Sequence, residues 1–281
     1  MSEIVINAQN LSKNFYNFDS RLPFIKRFLK RNQITIRAVQ DISFTIKRGS
    51  IVGFIGSNGA GKSTTIKMLT GTLYPSSGKL EVNGEIPFKR SINFRKKISI
   101  VVGNKLQLFQ DVSAMDYFQL IGTLYEVEPA ILQERIQELS NLLNVKDQLY
   151  QQVRTLSLGQ KMKMEFIAAS LTSPEILFLD EPTIGLDIQS KKDIRTFLKK
   201  MNEECHTTII LTSHDMDDIS SVCDELIVID KGKIILQESM DVILSKFSDF
   251  KYLKIKMTLD LVPELCSVKG VVVISQTKSE C

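Results

Sequence analysis

At 281 residues, 43% of them hydrophobic, the chain can bury a large core as one large domain or two modest ones. Its 36 basic and 32 acidic side chains leave a net charge of +4, too mild to argue for nucleic acid. The apolar runs, such as residues 51–55 and 209–211, fall far short of the ~18 residues needed to span a bilayer.

The opening MSEIVINAQN has no basic region followed by an apolar one, so no leader is expected and the prediction is a soluble cytoplasmic protein. Cys205, Cys223, Cys266 and Cys281 are scattered with no C-x-x-C pair, which argues against a disulfide framework or a zinc site.

Residues 4–6 and 42–46 (ISFTI) are predicted strands leading into a third, buried one at 51–55 (IVGFI). Between them RLPFIKRFLKR sets Leu22, Ile25, Phe28 and Leu29 on one helical face and Arg21, Lys26, Arg27, Lys30 and Arg31 on the other, with Pro23 suited to the first turn. This basic amphipathic helix either packs on its own domain or meets lipid headgroups or a membrane partner. Residues 56–64 read GSNGAGKST and open a predicted helix at 65–70. Residues 79–82 with Asn83-Gly84 predict a strand and hairpin, and 98–102 a buried strand. Helical periods at 114–125 and 130–143 begin an insertion that runs to about residue 172. Strands at 176–179, 208–211 and 226–229 then alternate with helices at 190–204 and 216–222. Such alternation implies a mainly parallel sheet covered on both faces. Beyond residue 238 a helix at 240–247 and strands at 252–257 and 271–274 predict a small α+β tail, so the expected division is 1–238 and 239–281.

The stretch 56–64 fits G-x-x-x-x-G-K-[ST] between a strand and a helix, the context that pattern requires. Glycines let backbone N–H groups converge on an anion, the helix N-terminus adds partial positive charge, Lys62 can reach terminal phosphates and the Ser63 hydroxyl can ligate magnesium. The run 176–179 ends in Asp180-Glu181-Pro182. Two carboxylates at the C-terminal edge of a buried parallel strand face the ligand crevice, where one can hold magnesium and the next polarise an attacking water. LSLGQ at 156–160 is a capping box, Ser157 with Gln160, and the same geometry also aims a hydroxyl and helix amides at an anion. His214 follows the strand 208–211 in TSHD.

The order of these motifs, phosphate loop, LSLGQ, LFLDEP, GLD at 185–187 and TSH ending at His214, resembles the ATP-binding subunit of ABC transporters over about residues 4–237. VGNKLQLFQD, VRTLSLGQKMKME and LTSHDMDDI resemble the exporter branch whose permease is a separate chain. The fold class implied is α/β, a phosphate-loop NTPase with a mainly parallel sheet, an antiparallel β part near the N-terminus and a helical subdomain at about 114–172. The resemblance further implies two such subunits, identical or similar, stacked head to tail with each ATP between the phosphate loop of one and LSLGQ of the other. Carried over, Ser57, Asn58, Gly59, Ala60, Gly61, Lys62, Ser63 and Thr64 bind the phosphates, and Ser63 and Asp180 serve Mg2+. Glu181 is then the catalytic base and His214 meets the γ-phosphate. Ser157, Leu158, Gly159 and Gln160 act across the interface, and Asp187 links the two sites. Phe15, or alternatively Tyr16, stacks on adenine.

This sequence departs from the family at Leu158, where glycine is usual, and at Gly103, where a glutamine usually closes the strand. Gln107 is the candidate for that magnesium-contacting role, with Asn104 second. The implied partner is an integral-membrane permease with no nucleic acid, the location the inner face of the cell membrane, and the activity ATP-driven export. The alternatives are a soluble ABC-type ATPase acting on ribosomes or nucleic acid, and a regulatory ATPase.

Overall fold

Two long strands, β1 (Ile4–Phe18) and β2 (Gln33–Lys47), pair antiparallel at the start of the chain. The computed structural model describes residues 3–18 and 33–247. The predicted basic helix at 21–31 and the strands at 252–257 and 271–274 lie outside them. β1 and β2 run far beyond the short strands expected from apolar runs. Polar residues such as Asn7 and Gln9 interrupt the apolar pattern, and the register shifts between Ala8 and Leu11.

After β3 (Ile51–Ile55) and helix α1 (Lys62–Leu69), strand β4 (Ser77–Val82) returns to pair antiparallel with β1, giving a three-stranded sheet in the order β2-β1-β4. The predicted Asn83-Gly84 hairpin closes only a single bridge, Val82 to Glu85. The Asn83 N–H instead donates to Val5 O at 2.7 Å, so the chain here is already committed to β1.

The remaining elements are α2 (Ile92–Lys97), β5 (Ile98–Val102), α3 (Ala114–Leu124), α4 (Pro129–Leu142), α5 (Leu158–Ser170), β6 (Ile176–Asp180), α6 (Ile188–Cys205), β7 (Thr208–Thr212), α7 (Met216–Val222), β8 (Glu225–Asp230), β9 (Lys233–Ser239) and α8 (Met240–Phe247). The second sheet has six strands in the order β5-β6-β7-β3-β8-β9. Its first five are parallel, and β9 folds back antiparallel on β8. β9 holds the apolar run 234–236, as long as the run at 209–211 in β7. It is made by the turn at Lys231 and Gly232, whose φ values of 46° and 80° lie in the left-handed region that tight hairpins use.

The period of two along β6 sorts its side chains between two cores. Ile176 and Phe178 pack with Val52, Phe54, Ile210, Leu11 and Phe44, between the six-stranded sheet and the antiparallel one. Leu177 and Leu179 pack with Phe118, Leu143, Phe166 and Phe197, against the helices of residues 114–170 and α6. Each such side chain, fully buried, contributes about 1.5–3 kcal/mol relative to exposure. The C-terminal ends of β3, β6 and β7 consequently meet at one edge, held between two packed layers. The chain divides into two compact units, 1–243 and 244–281. No described helix is long and apolar enough to cross a membrane.

Candidate functional site

The loop after β3 turns into α1 through Gly61, whose φ of 113° and whose would-be Cβ, 2.6 Å from Ala38 O, leave room only for glycine. Ala60 N–H donates to Ser57 O at 3.0 Å and closes the turn through Asn58 and Gly59. α1 has no side-chain cap, so the first-turn amides of Lys62, Ser63 and Thr64 remain available to a ligand. Lys62 is only 5% exposed, and its Nζ donates to Gly56 O at 2.6 Å, on the concave side of the loop. A buried ammonium facing carbonyls and amides at a helix start is a preformed anion cradle.

The edge formed by β6 and β7 supplies the acids. Asp180 Oδ1 accepts from Ser63 Oγ at 2.9 Å and from Thr212 Oγ1 at 2.8 Å. Glu181, with φ of 52°, holds a left-handed conformation unusual for a non-glycine residue and concentrated at functional sites. Its N–H donates to Thr212 O at 3.1 Å and Oγ1 at 3.0 Å. Its side chain reaches both ways, Oε1 3.7 Å from Lys62 Nζ and Oε2 sharing a 2.6 Å hydrogen bond with His214 Nδ1. The structure thus brings Lys62, Ser63, Asp180, Glu181 and His214 into one cluster.

Ser157 caps α5 in a reciprocal box, its Oγ accepting from Gln160 N at 3.2 Å and its N–H donating to Gln160 Oε1 at 2.9 Å. Leu158 is exposed, whereas Gly159 is buried where a Cβ would lie 2.2 Å from Ser190 Oγ and 3.0 Å from Asp187 Oδ2. Asp187 caps α6 through Ser190 N at 2.9 Å and Ser190 Oγ at 2.6 Å, and those bonds hold its carboxyl below the usual carboxylate range. The LSLGQ signature and Asp187 therefore form a second cluster, built on the start of two packed helices. Exposed apolar side chains surround it: Leu158, Ile184 and Ile188, the last 87% exposed.

Of the remaining expected residues, Gln107 stands apart from the Ser63–Asp180 cluster. Gln107 donates its carboxamide to Ile100 O at 2.9 Å and lines a cleft of about 240 Å³ with Arg95, Tyr117, Tyr125 and Glu165. It does not join Ser63 and Asp180. Asn104 is exposed beside Gly103, whose N–H donates to Asp180 O at 2.9 Å. The glycine at 103 has a steric cause, because a Cβ there would lie 1.8 Å from Glu181 O. Phe15 is 39% exposed on β1, opposite Ile36 of β2, with Lys13 Nζ 5.4 Å from its ring centre. Tyr16 is more exposed and pairs with Thr35.

Other contributors have no role in the motif reading, although Thr212 opens the TSH motif. Thr212 bonds both acids. Thr183, just past Glu181, donates to buried Asp218 at 2.5 Å and so ties that loop to α7, the helix that follows His214. Asp218 also accepts from Arg195 Nε at 2.8 Å. Thr212 could have been found from its place in TSH, whereas the one signal for Thr183 is a hydroxyl two residues past Glu181, too common to single out.

A phosphate cradle beside two carboxylates at the edge of a parallel sheet defines a phosphate-loop nucleoside triphosphatase. Residues 39–184 match the family described as ABC transporter. The chain belongs to that family, as an ATP-binding, ATP-hydrolysing subunit. The ABC transporter ATP-binding protein NatA of Bacillus subtilis is 32% identical over 216 residues, 77% of this chain and 87% of NatA. The linearmycin resistance ATP-binding protein LnrL of the same organism is 34% identical over 197 residues, 70% of this chain, which spans 63% of LnrL's length. Among solved structures, cbiO1 from Clostridium perfringens, described as part of the ABC transporter complex cbiONQ, matches with a TM-score of 0.72 at 26% identity over 87% of this chain and 92% of that one. The ATP-binding cassette MJ0796, a dimer bound to ADP and Pi, shares the fold with a TM-score of 0.70 at 20% identity, over 84% of this chain and 98% of its own.

Proposed function

We propose that this chain powers export through a separate membrane permease, binding ATP at its phosphate loop and hydrolysing it with Glu181 as base. The observation that carries the assignment is Glu181 held between Lys62 and His214, next to the Ser63–Asp180 pair. Lys62 and the loop amides bind the β- and γ-phosphates. Glu181 takes a proton from the attacking water, and His214, hydrogen-bonded to it through Nδ1, orients the carboxylate and meets the γ-phosphate. Ser63 Oγ and Asp180 Oδ1 are hard oxygen donors 2.9 Å apart, a set suited to magnesium, which prefers one or two protein oxygens completed by phosphate and water. When bound, the ion neutralises phosphate charge. Asn104 takes the loop role beside it, since Gln107 is engaged with Ile100. Phe15 stacks on adenine.

The exposed Leu158, Ile184 and Ile188 beside the capped starts of α5 and α6 support a second ATPase subunit covering this face, so that Ser157 and Gly159 complete the partner's ATP site and Asp187 links the two. For the permease we assign the cleft between β5 and α3. Arg90 and Arg95 line it, both exposed and without an ion-pair partner among the described residues, so it suits an acidic segment of the permease on the inner face of the membrane. The export direction is supported by the exporter-like motif stretches and by the likeness to a linearmycin resistance protein. The test is affinity capture of the tagged chain from gently solubilised native membranes, beside a variant carrying Arg90→Glu and Arg95→Glu. A multispanning protein in near-equal amount with the wild type and lost with the variant supports the reading. Capture of no membrane protein, or equal capture by both, contradicts it.

A further inference from the structure

Helix α5 carries Ser157 at its start and Glu165 about two turns further along. Glu165 is only 4% exposed, and no cation pairs with it among the described residues. Instead its Oε1 accepts the backbone N–H of Leu108 at 2.8 Å and that of Gln107. A buried carboxylate without a counter-charge is expensive, and packing alone would be served better by an apolar side chain. What Glu165 does that an apolar residue could not is grip a loop by two amides.

The other end of that loop is fixed to the hydrolytic centre. Gly103 donates to Asp180 O at 2.9 Å and lies directly against Glu181 O. Residues 103–108 thus form a strap from the backbone of the acids to the middle of α5. α5 is in turn braced on α6 by the buried Lys163–Asp193 pair at 2.6 Å and by Gly159 against Asp187 and Ser190. The cleft assigned to the permease is lined by this same junction, Gln107 and Glu165.

We propose that Glu165 is a positioning residue that clamps the strap 103–108 to the signature helix, so that Ser157 and the Glu181 backbone move together within one subunit. The proposal rests on the reading that Glu181 and Ser157 serve ATP sites. It makes the buried acid part of the machinery without contact with nucleotide.

The test is hydrogen–deuterium exchange and steady-state ATPase kinetics on the full chain, comparing wild type, Glu165→Ala and Glu165→Gln. Loss of the carboxyl acceptor should speed exchange of the Gln107 and Leu108 amides about tenfold in Glu165→Ala. Exchange in α1 should not change. The carboxamide of Glu165→Gln keeps an oxygen in place, so its exchange should rise only about threefold. In the same variants kcat should fall in the order Gln then Ala, with KM for ATP unchanged. Unaltered exchange at 107–108, a loss spread equally over the whole chain, or kcat and KM changing together would overturn the clamp. If Glu165→Ala does not fold, Glu165→Gln decides alone: exchange at 107–108 raised about threefold supports the clamp, and wild-type exchange overturns it. A wild-type chain that hydrolyses no ATP would instead refute the functional reading, and is told apart by normal protection at 107–108.

Discussion

Replacing Gly103 by alanine is the smallest change that should disable hydrolysis while leaving ATP binding intact. The new Cβ would lie 1.8 Å from Glu181 O, 2.7 Å from Glu181 C and 3.1 Å from Pro182 Cα. All three are backbone atoms, so no side chain can swing aside. The contact with the oxygen must open to at least 3.0 Å, so β5 and the Glu181 peptide must separate by about 1.2 Å. Glu181 is fixed on its other side by two bonds to Thr212, so the displacement falls on its unusual backbone and on the carboxylate that the backbone aims. Overpacking of this kind costs about 1–3 kcal/mol in stability, and an error of about 1 Å in a reacting group can cost on the order of a hundredfold in rate. Gly103→Ala should therefore remain folded, bind ATP with near wild-type affinity in a calorimetric titration, and lose about 10²-fold in kcat. Wild-type kcat in a folded variant would refute the argument that Gly103 sets the position of Glu181.

Thr212→Val should lower stability by about 1–3 kcal/mol in urea unfolding, because its hydroxyl serves both Asp180 Oδ1 and the Glu181 N–H in a fully buried position, and should slow ATP turnover. Asp193→Ala strands the buried Lys163 ammonium and should cost about 3–5 kcal/mol by the same method, more than a mutation at the exposed pair of Lys96 and Glu126. Burial pushes the Glu165 carboxyl up despite its two amide bonds. A raised folded-state value means that the stability it contributes is fully present below its unfolded pKa of about 4.3 and is lost as pH rises through the folded value. The melting temperature of wild type relative to Glu165→Gln should accordingly be highest at acid pH and decline toward neutrality. A difference that grows with pH would contradict it.

The phosphate loop, the paired acids and the capping box were legible in the sequence because each is a local pattern with a physical requirement: glycine conformations, a strand end, a helix start. The parallel sheet was legible for the same reason, through apolar runs of strand length at 51–55, 98–102 and 176–179. What escaped depends on contacts between distant segments. Gly103 looked like a missing glutamine, and only the approach of the Glu181 carbonyl explains it. Gln107, expected near magnesium, is drawn off by Ile100 O on the edge strand β5. β9 carries an apolar run at 234–236 as long as that at 209–211, but the run is only part-buried, and the strand is held by its turn and its antiparallel pairing with β8. Glu165, the last residue of VRTLSLGQKMKME, showed no role of its own there, since nothing in its neighbours announces that two amides of another loop will cover it.

In the proposed cycle ATP is enclosed between the phosphate loop of one subunit and the LSLGQ signature of another, and the dimer is opened again by hydrolysis at Glu181. The measurement that tests it most directly is the solution mass of Glu181→Gln, by light scattering on a sizing column with ATP and magnesium. The account predicts a stable species of twice the mass of one chain that reverts when Ser157→Arg is added, since nucleotide binding survives but the interface is blocked. A folded, ATP-bound Glu181→Gln chain that stays monomeric would contradict it.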